Sequence, residues 1–77
     1  MTISTVEEAI ESIETFVGKP EEFSLQIPLV SSLTFRNKQM NLNFAMALIT
    51  DTVLKKGWMP NGYEDKDDFR HYKYKQL

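Results

Sequence analysis

The densest run of apolar positions, Met40 to Gly57 (MNLNFAMALITDTVLKKG), reads as one long helix. At 3.6 residues per turn Leu42, Ala45, Met46, Ile49 and Val53 share a face, the stripe that packs on a core. Met40, Phe44, Ala47 and Leu48 form a second stripe roughly opposite, flanked by Leu54. A helix that is apolar on two sides needs cover on two sides. Lys55 and Lys56 occupy its last turn, where cations oppose the helix dipole. Gly57 stands where a left-handed C-terminal cap is wanted, and Asn37 is the expected N-cap.

The first helix is one-sided. Ser4 or Thr5 caps it, because Glu7 and Glu8 follow each at the spacing of a capping box. It is expected to run to about Val17, with Val6, Ala9, Ile10, Ile13, Phe16 and Val17 inward and every glutamate outward. Gly18 and Pro20 end it. Met1 to Ile3 are expected to fray. Phe23 to Leu29 then alternates, with Phe23, Leu25, Ile27 and Leu29 on one side and Ser24, Gln26 and Pro28 on the other, the period of a strand. Pro28 cannot donate to a ladder, so it marks an edge or the strand end. Leu33, Thr34 and Phe35 suggest a short extended piece in an otherwise ambiguous stretch. Beyond Gly57, Trp58–Tyr63 and Phe69–Lys75 read as a hairpin around the acidic cluster Glu64-Asp65-Lys66-Asp67-Asp68. Asn61-Gly62 is an alternative tight turn, which would shorten the first strand. In the second strand Arg70, Tyr72 and Tyr74 share one face, and Phe69, His71, Lys73 and Lys75 the other.

The order helix, strand, helix, hairpin predicts an α+β fold with two helices packed on a small, largely antiparallel sheet. The length, 77 residues, allows one domain over residues 1–77. A chain this short buries only about 60% of its unfolded surface. It holds no cysteine, which removes disulfides and thiolate zinc sites as reinforcement. Association with another subunit is the remaining common remedy. The missing cysteines, the lack of an apolar leader and the lack of a run long enough to span a bilayer predict a cytoplasmic protein with no membrane partner.

Little here has the look of catalysis. His71 is the single histidine and sits in a charged strand beside two tyrosines, the setting of a surface residue rather than a general base. Asp65-x-Asp67 resembles part of a calcium loop but lacks its glycine and terminal glutamate, so a solvated hairpin tip is the expectation. Gly18-Lys19 lacks the glycine pattern of a phosphate loop. No enzyme activity, cofactor or metal is expected.

Two binding readings remain. Arg70, Tyr72, Lys73, Tyr74 and Lys75, with Trp58, interleave bases and aromatics in a way that could neutralise and stack on nucleic acid. Against it, the chain is net acidic, at -2, and the helix before the hairpin shows apolar residues where a reading helix shows polar ones. The plainer role for the tyrosines is in a core or interface, with the lysines keeping the outer face soluble and blunting an edge.

The other reading starts from Met40, Phe44, Ala47 and Leu48. A three-layer monomer, with the first helix stacked outside the central one, could cover that stripe. So could a second subunit, giving a homodimer, or a heterologous protein. Self-association is the leading expectation, since clusters of this kind are rare on monomers. The run from Met40 to Tyr63 together with FRHYKYK resembles short bacterial proteins of unknown role, of a cyanobacterial type. The resemblance covers roughly the second half of the chain. It implies a cytoplasmic protein and carries over no site residue.

Overall fold

A computed structural model describes residues 3–77. It shows an α+β fold of two helices and five strands in two small antiparallel sheets. In chain order these are α1 (Val6–Thr15), a single 3-10 turn (Pro20–Glu22), β1 (Ser24–Pro28), β2 (Ser32–Phe35), β3 (Lys38–Asn41), α2 (Leu42–Lys55), β4 (Trp58–Lys66) and β5 (Phe69–Gln76). The larger sheet runs β1-β5-β4, and β2 pairs with β3.

Thr5 caps α1. Its hydroxyl oxygen accepts from the Glu8 N–H at 3.1 Å, while the Glu8 carboxylate accepts from Ser4 Oγ at 2.6 Å and from Thr5 Oγ1 at 3.1 Å. These hydrogen bonds, that from Ser4 foremost, hold the Glu8 carboxyl below its usual pKa. The helix stops at Thr15, so Phe16 turns out of the helical path and Val17 is 94% exposed rather than part of the inner face. The expected fraying of Met1 and Thr2 lies outside the described residues. Ile3 is buried, and its N–H donates to the Gln26 carbonyl beside β1.

The helix–strand–helix–hairpin order needs one correction. Ser32–Phe35 and Lys38–Asn41 form a second hairpin, in register from Ser32 opposite Asn41 to Phe35 opposite Lys38. Its turn is Arg36-Asn37, both in the left-handed region at φ 51° and 64°. Asn37 is therefore a turn residue, not a helix cap. The cap is Asn41, whose Oδ1 accepts from the Asn43 N–H at 2.8 Å. Met40 correspondingly belongs to β3, opposite Leu33, and not to the helix. The hairpin is tied down by a parallel bridge between Thr34 and Thr5 and by the Arg36 N–H donating to Glu7 Oε2 at 2.9 Å.

In the C-terminal hairpin β4 extends to Lys66, and Asp67-Asp68 makes the turn, again with both residues left-handed at φ 54° and 65°. Two positive φ angles in a two-residue loop match the twist of the flanking strands. Asn61-Gly62 is a bulge: the register shifts between Pro60 and Tyr63, and Gly62 supplies φ 84°. β1 ends at Pro28, paired with Phe69, and Leu29 is exposed.

One core joins these pieces. Val6, Ala9 and Ile13 from α1 and Ala45, Ile49 and Val53 from α2 are fully buried, together with Leu25 and Ile27 from β1, Leu33 from β2, Trp58 from β4 and Tyr74 from β5. Trp58 is buried as expected, in an aromatic cluster with Phe16 at 5.8 Å, Phe23 at 5.5 Å and Tyr74 at 6.3 Å between ring centroids. No described helix is long and apolar enough to cross a membrane.

Candidate protein interface on the central helix

The expected inner stripe of α2 is inside. Ala45, Ile49 and Val53 are buried, and Leu42 and Met46 pack against them half-buried. Among the described residues nothing covers the opposite face. Phe44 is 70% exposed, Leu48 38% and Leu54 47%, with Ala47 exposed between them. The reason is positional. α1 packs beside α2 through its own inner face, Val6, Ala9 and Ile13, and all three of those residues are buried. A one-sided helix spent on the core has no second apolar face to lay over Phe44 and Leu48. Of the four residues expected in this stripe, the structure keeps Phe44, Ala47 and Leu48 together on the helix.

Met40 reaches the same region from β3. It is half-buried against the core and, with Phe35 and Phe44, lines a shallow hollow between the hairpin and the start of α2. Arg36, Lys38, Gln39 and Asn41 complete the hollow. The Arg36 guanidinium lies 5.0 Å over the Phe35 ring. Among the described residues neither Arg36 nor Lys38 forms a salt bridge. Further along the exposed helix face Asp51 pairs with Lys55 at 2.9 Å, both well exposed. Phe35 and the hairpin wall could not be assigned to this surface from sequence, because the turn that creates the hairpin carries neither glycine nor proline.

The alternative set on β5 is divided rather than gathered. β5 is the central strand, paired on both sides, so its lysines blunt no edge. Tyr74 is buried, and that burial pushes its phenol well above the ordinary value. Tyr72 is half-buried beside Leu25, its partner in register, and its ring meets that of Tyr63 at a tilt of 52°, with 5.8 Å between centroids. Arg70 makes a two-pronged contact with Asp65 at 2.7 and 3.1 Å and lies 4.1 Å over the Tyr63 ring. Its guanidinium holds the Asp65 carboxyl below the usual range. Lys73 and Lys75 alternate onto the opposite side of the sheet, where Lys73 meets Glu64 at 3.5 Å. His71 is half-buried on that outer side, opposite Gln26 and Glu64. Among the described residues no group of three or more histidines, aspartates or glutamates is placed to hold a metal ion.

Comparison with protein-family models, with curated proteins and with solved structures gave no match.

Proposed function

We propose that this protein acts by binding another protein surface through the exposed face of α2, most simply a second copy of itself. The observation that carries the reading is Phe44, an aromatic ring 70% exposed in the first turn of α2, on the same face as the exposed Ala47 and Leu48. Fully burying such a side chain contributes roughly 1.5–3 kcal/mol on transfer scales, and Leu48 and Leu54 add to it. Contiguous apolar surface of this sort on a small domain marks a contact site. A non-enzymatic, cofactor-free role accords with it.

The test is the solution mass as a function of concentration, with Phe44→Glu as the variant. The expected outcome is a wild-type dimer and a folded Phe44→Glu monomer, folded because the ring lies outside the core. Wild-type protein that stays monomeric at high micromolar concentration would defeat the self-association reading. The nucleic-acid alternative has less support, because Tyr74 is in the core and the bases lie on two sides of the sheet. Salt-sensitive retention on DNA that weakens on replacing Arg70, Lys73 and Lys75 would revive it.

A further inference from the structure

We propose that the Asn61-Gly62 bulge is a site of spontaneous covalent modification, at which the Asn61 side chain closes a cyclic imide with the Gly62 nitrogen, loses ammonia and becomes isoaspartate or aspartate. The proposal does not depend on what binds the exposed face of α2.

The reaction needs a side-chain amide, a following peptide nitrogen that can reach it, and a backbone free to bend. Of the four asparagines in the chain, Asn37 precedes Lys38, Asn41 precedes Leu42, Asn43 precedes Phe44 and Asn61 precedes Gly62. Glycine has no Cβ to crowd its nitrogen or to restrict the backbone angles that ring closure demands. Asn41 is also held in place, because its Oδ1 accepts from the Asn43 N–H at 2.8 Å. The fold leaves the Asn61-Gly62 pair open. Both residues are exposed. Both fall in the register shift between Pro60 and Tyr63, where a bulge disrupts the ladder. Pro60, just before them, has no N–H to give that ladder. β4 is an edge strand, so its other side presents backbone groups to solvent. A Cβ at Gly62 would have no neighbour within 4 Å, so nothing packs over this peptide.

Solvent base takes the Gly62 N–H proton, and the nitrogen attacks Asn61 Cγ. A C–N bond forms, the Cγ–Nδ2 bond breaks, and Nδ2 leaves as ammonia after taking a proton from water. One water then opens the five-membered imide at either of its two carbonyls. One opening gives aspartate; the other routes the main chain through Cγ and gives isoaspartate. The net change is one water consumed and one ammonia released, with nothing oxidised or reduced. The product adds one negative charge to a chain that carries -2, and it does so opposite Lys73, the β5 residue that the bulge spans. Isoaspartate also lengthens the main chain by one carbon, and a bulge that is already out of register takes up that atom without displacing the paired residues on either side.

Hydroxylamine attacks the cyclic imide and cuts the chain there, so it is the probe. Folded protein in mildly alkaline hydroxylamine is expected to be cleaved between Asn61 and Gly62, into fragments 1–61 and 62–77. Folded protein aged in the same buffer without hydroxylamine is expected to gain one mass unit in the tryptic peptide 57–66, with an isoaspartyl form that separates from the aspartyl one. Asn61→Gln keeps the bulge glycine but needs a larger ring, and it should lose the cleavage and reduce the mass gain to the level of the other three asparagines. Folded wild type that stays uncut and unshifted while the urea-unfolded chain converts overturns the proposal, because the fold then shields the pair. A mass gain in peptide 57–66 that is as fast in Asn61→Gln as in wild type overturns the assignment to Asn61.

Discussion

Replacing Lys56 by Met tests a stabilising contact between the ends of the two helices, far apart in sequence. Lys56 follows the last residue of α2, yet its Nζ donates to the carbonyls of Ile13, Glu14 and Phe16, at the end of α1. The last carbonyls of a helix have no partner within it, and α1 carries no basic residue in its final turn. Lys56 supplies both the donors and the positive charge that the helix end calls for. Its ammonium also lies 4.9 Å over the Trp58 ring. Met keeps most of the apolar stem over Trp58 and removes the ammonium. A hydrogen bond to a charged group is worth about 1.5–3 kcal/mol net, and the three should not be summed, because water can reach part of this site. The rotamer freedom regained returns at most about 2 kcal/mol. A net loss of about 2 kcal/mol is expected, which lowers Tm by about 8–16 °C in a domain of this size. The assay is denaturant and thermal unfolding at fixed protein concentration, since any association shifts apparent stability. Lys55→Met is the control. It breaks only an exposed pair with Asp51, worth about 0.3–0.5 kcal/mol. If Lys56→Met unfolds within about 0.5 kcal/mol of wild type, or no worse than Lys55→Met, the capping role is refuted.

Two further outcomes follow from other parts of the molecule. Burial raises the Tyr74 phenol above its ordinary value of 10.0, so the folded state holds this proton more tightly than the unfolded chain. Its contribution is then fully present below pH 10.0 and is lost as pH rises from there toward the raised folded value, by up to about 1.4 kcal/mol per pH unit. Tyr74→Phe should flatten this alkaline limb, and an unchanged slope above pH 10 in the unfolding free energy would count against the assignment. Asp68→Gly should stabilise the protein by about 0.5–1 kcal/mol, because Asp68 holds φ 65° in a turn where glycine carries no steric cost, and because one charge leaves an acidic tip; a lower denaturant midpoint would show that the turn is not under strain.

Local chemistry made several elements legible in the sequence. The Thr5 cap, the inward stripe of α1 and the strand alternation of Leu25 and Ile27 are set by residues within a few positions of one another. The same is true of Ala45, Ile49 and Val53 and of Gly57 after α2. Errors arose where a local signal had two readings. Asn37 and Asn41 both suit a helix cap, and only pairing with Ser32–Phe35 places Asn37 in a turn and Met40 on a strand. Asn61-Gly62 suits a tight turn, and only its register against β5 makes it a bulge.

By itself the sequence determined that α2 carries apolar residues on two sides, because helical spacing alone puts Phe44, Ala47 and Leu48 away from Ala45, Ile49 and Val53. Which of the two faces the chain covers was decided by the tertiary structure. α1 has a single apolar face, and packing it into the core beside α2 leaves none of the described residues to cover Phe44. The reach of Lys56 to carbonyls some 40 residues earlier in the chain was likewise decided only by folding, since no spacing rule relates positions brought together by packing alone.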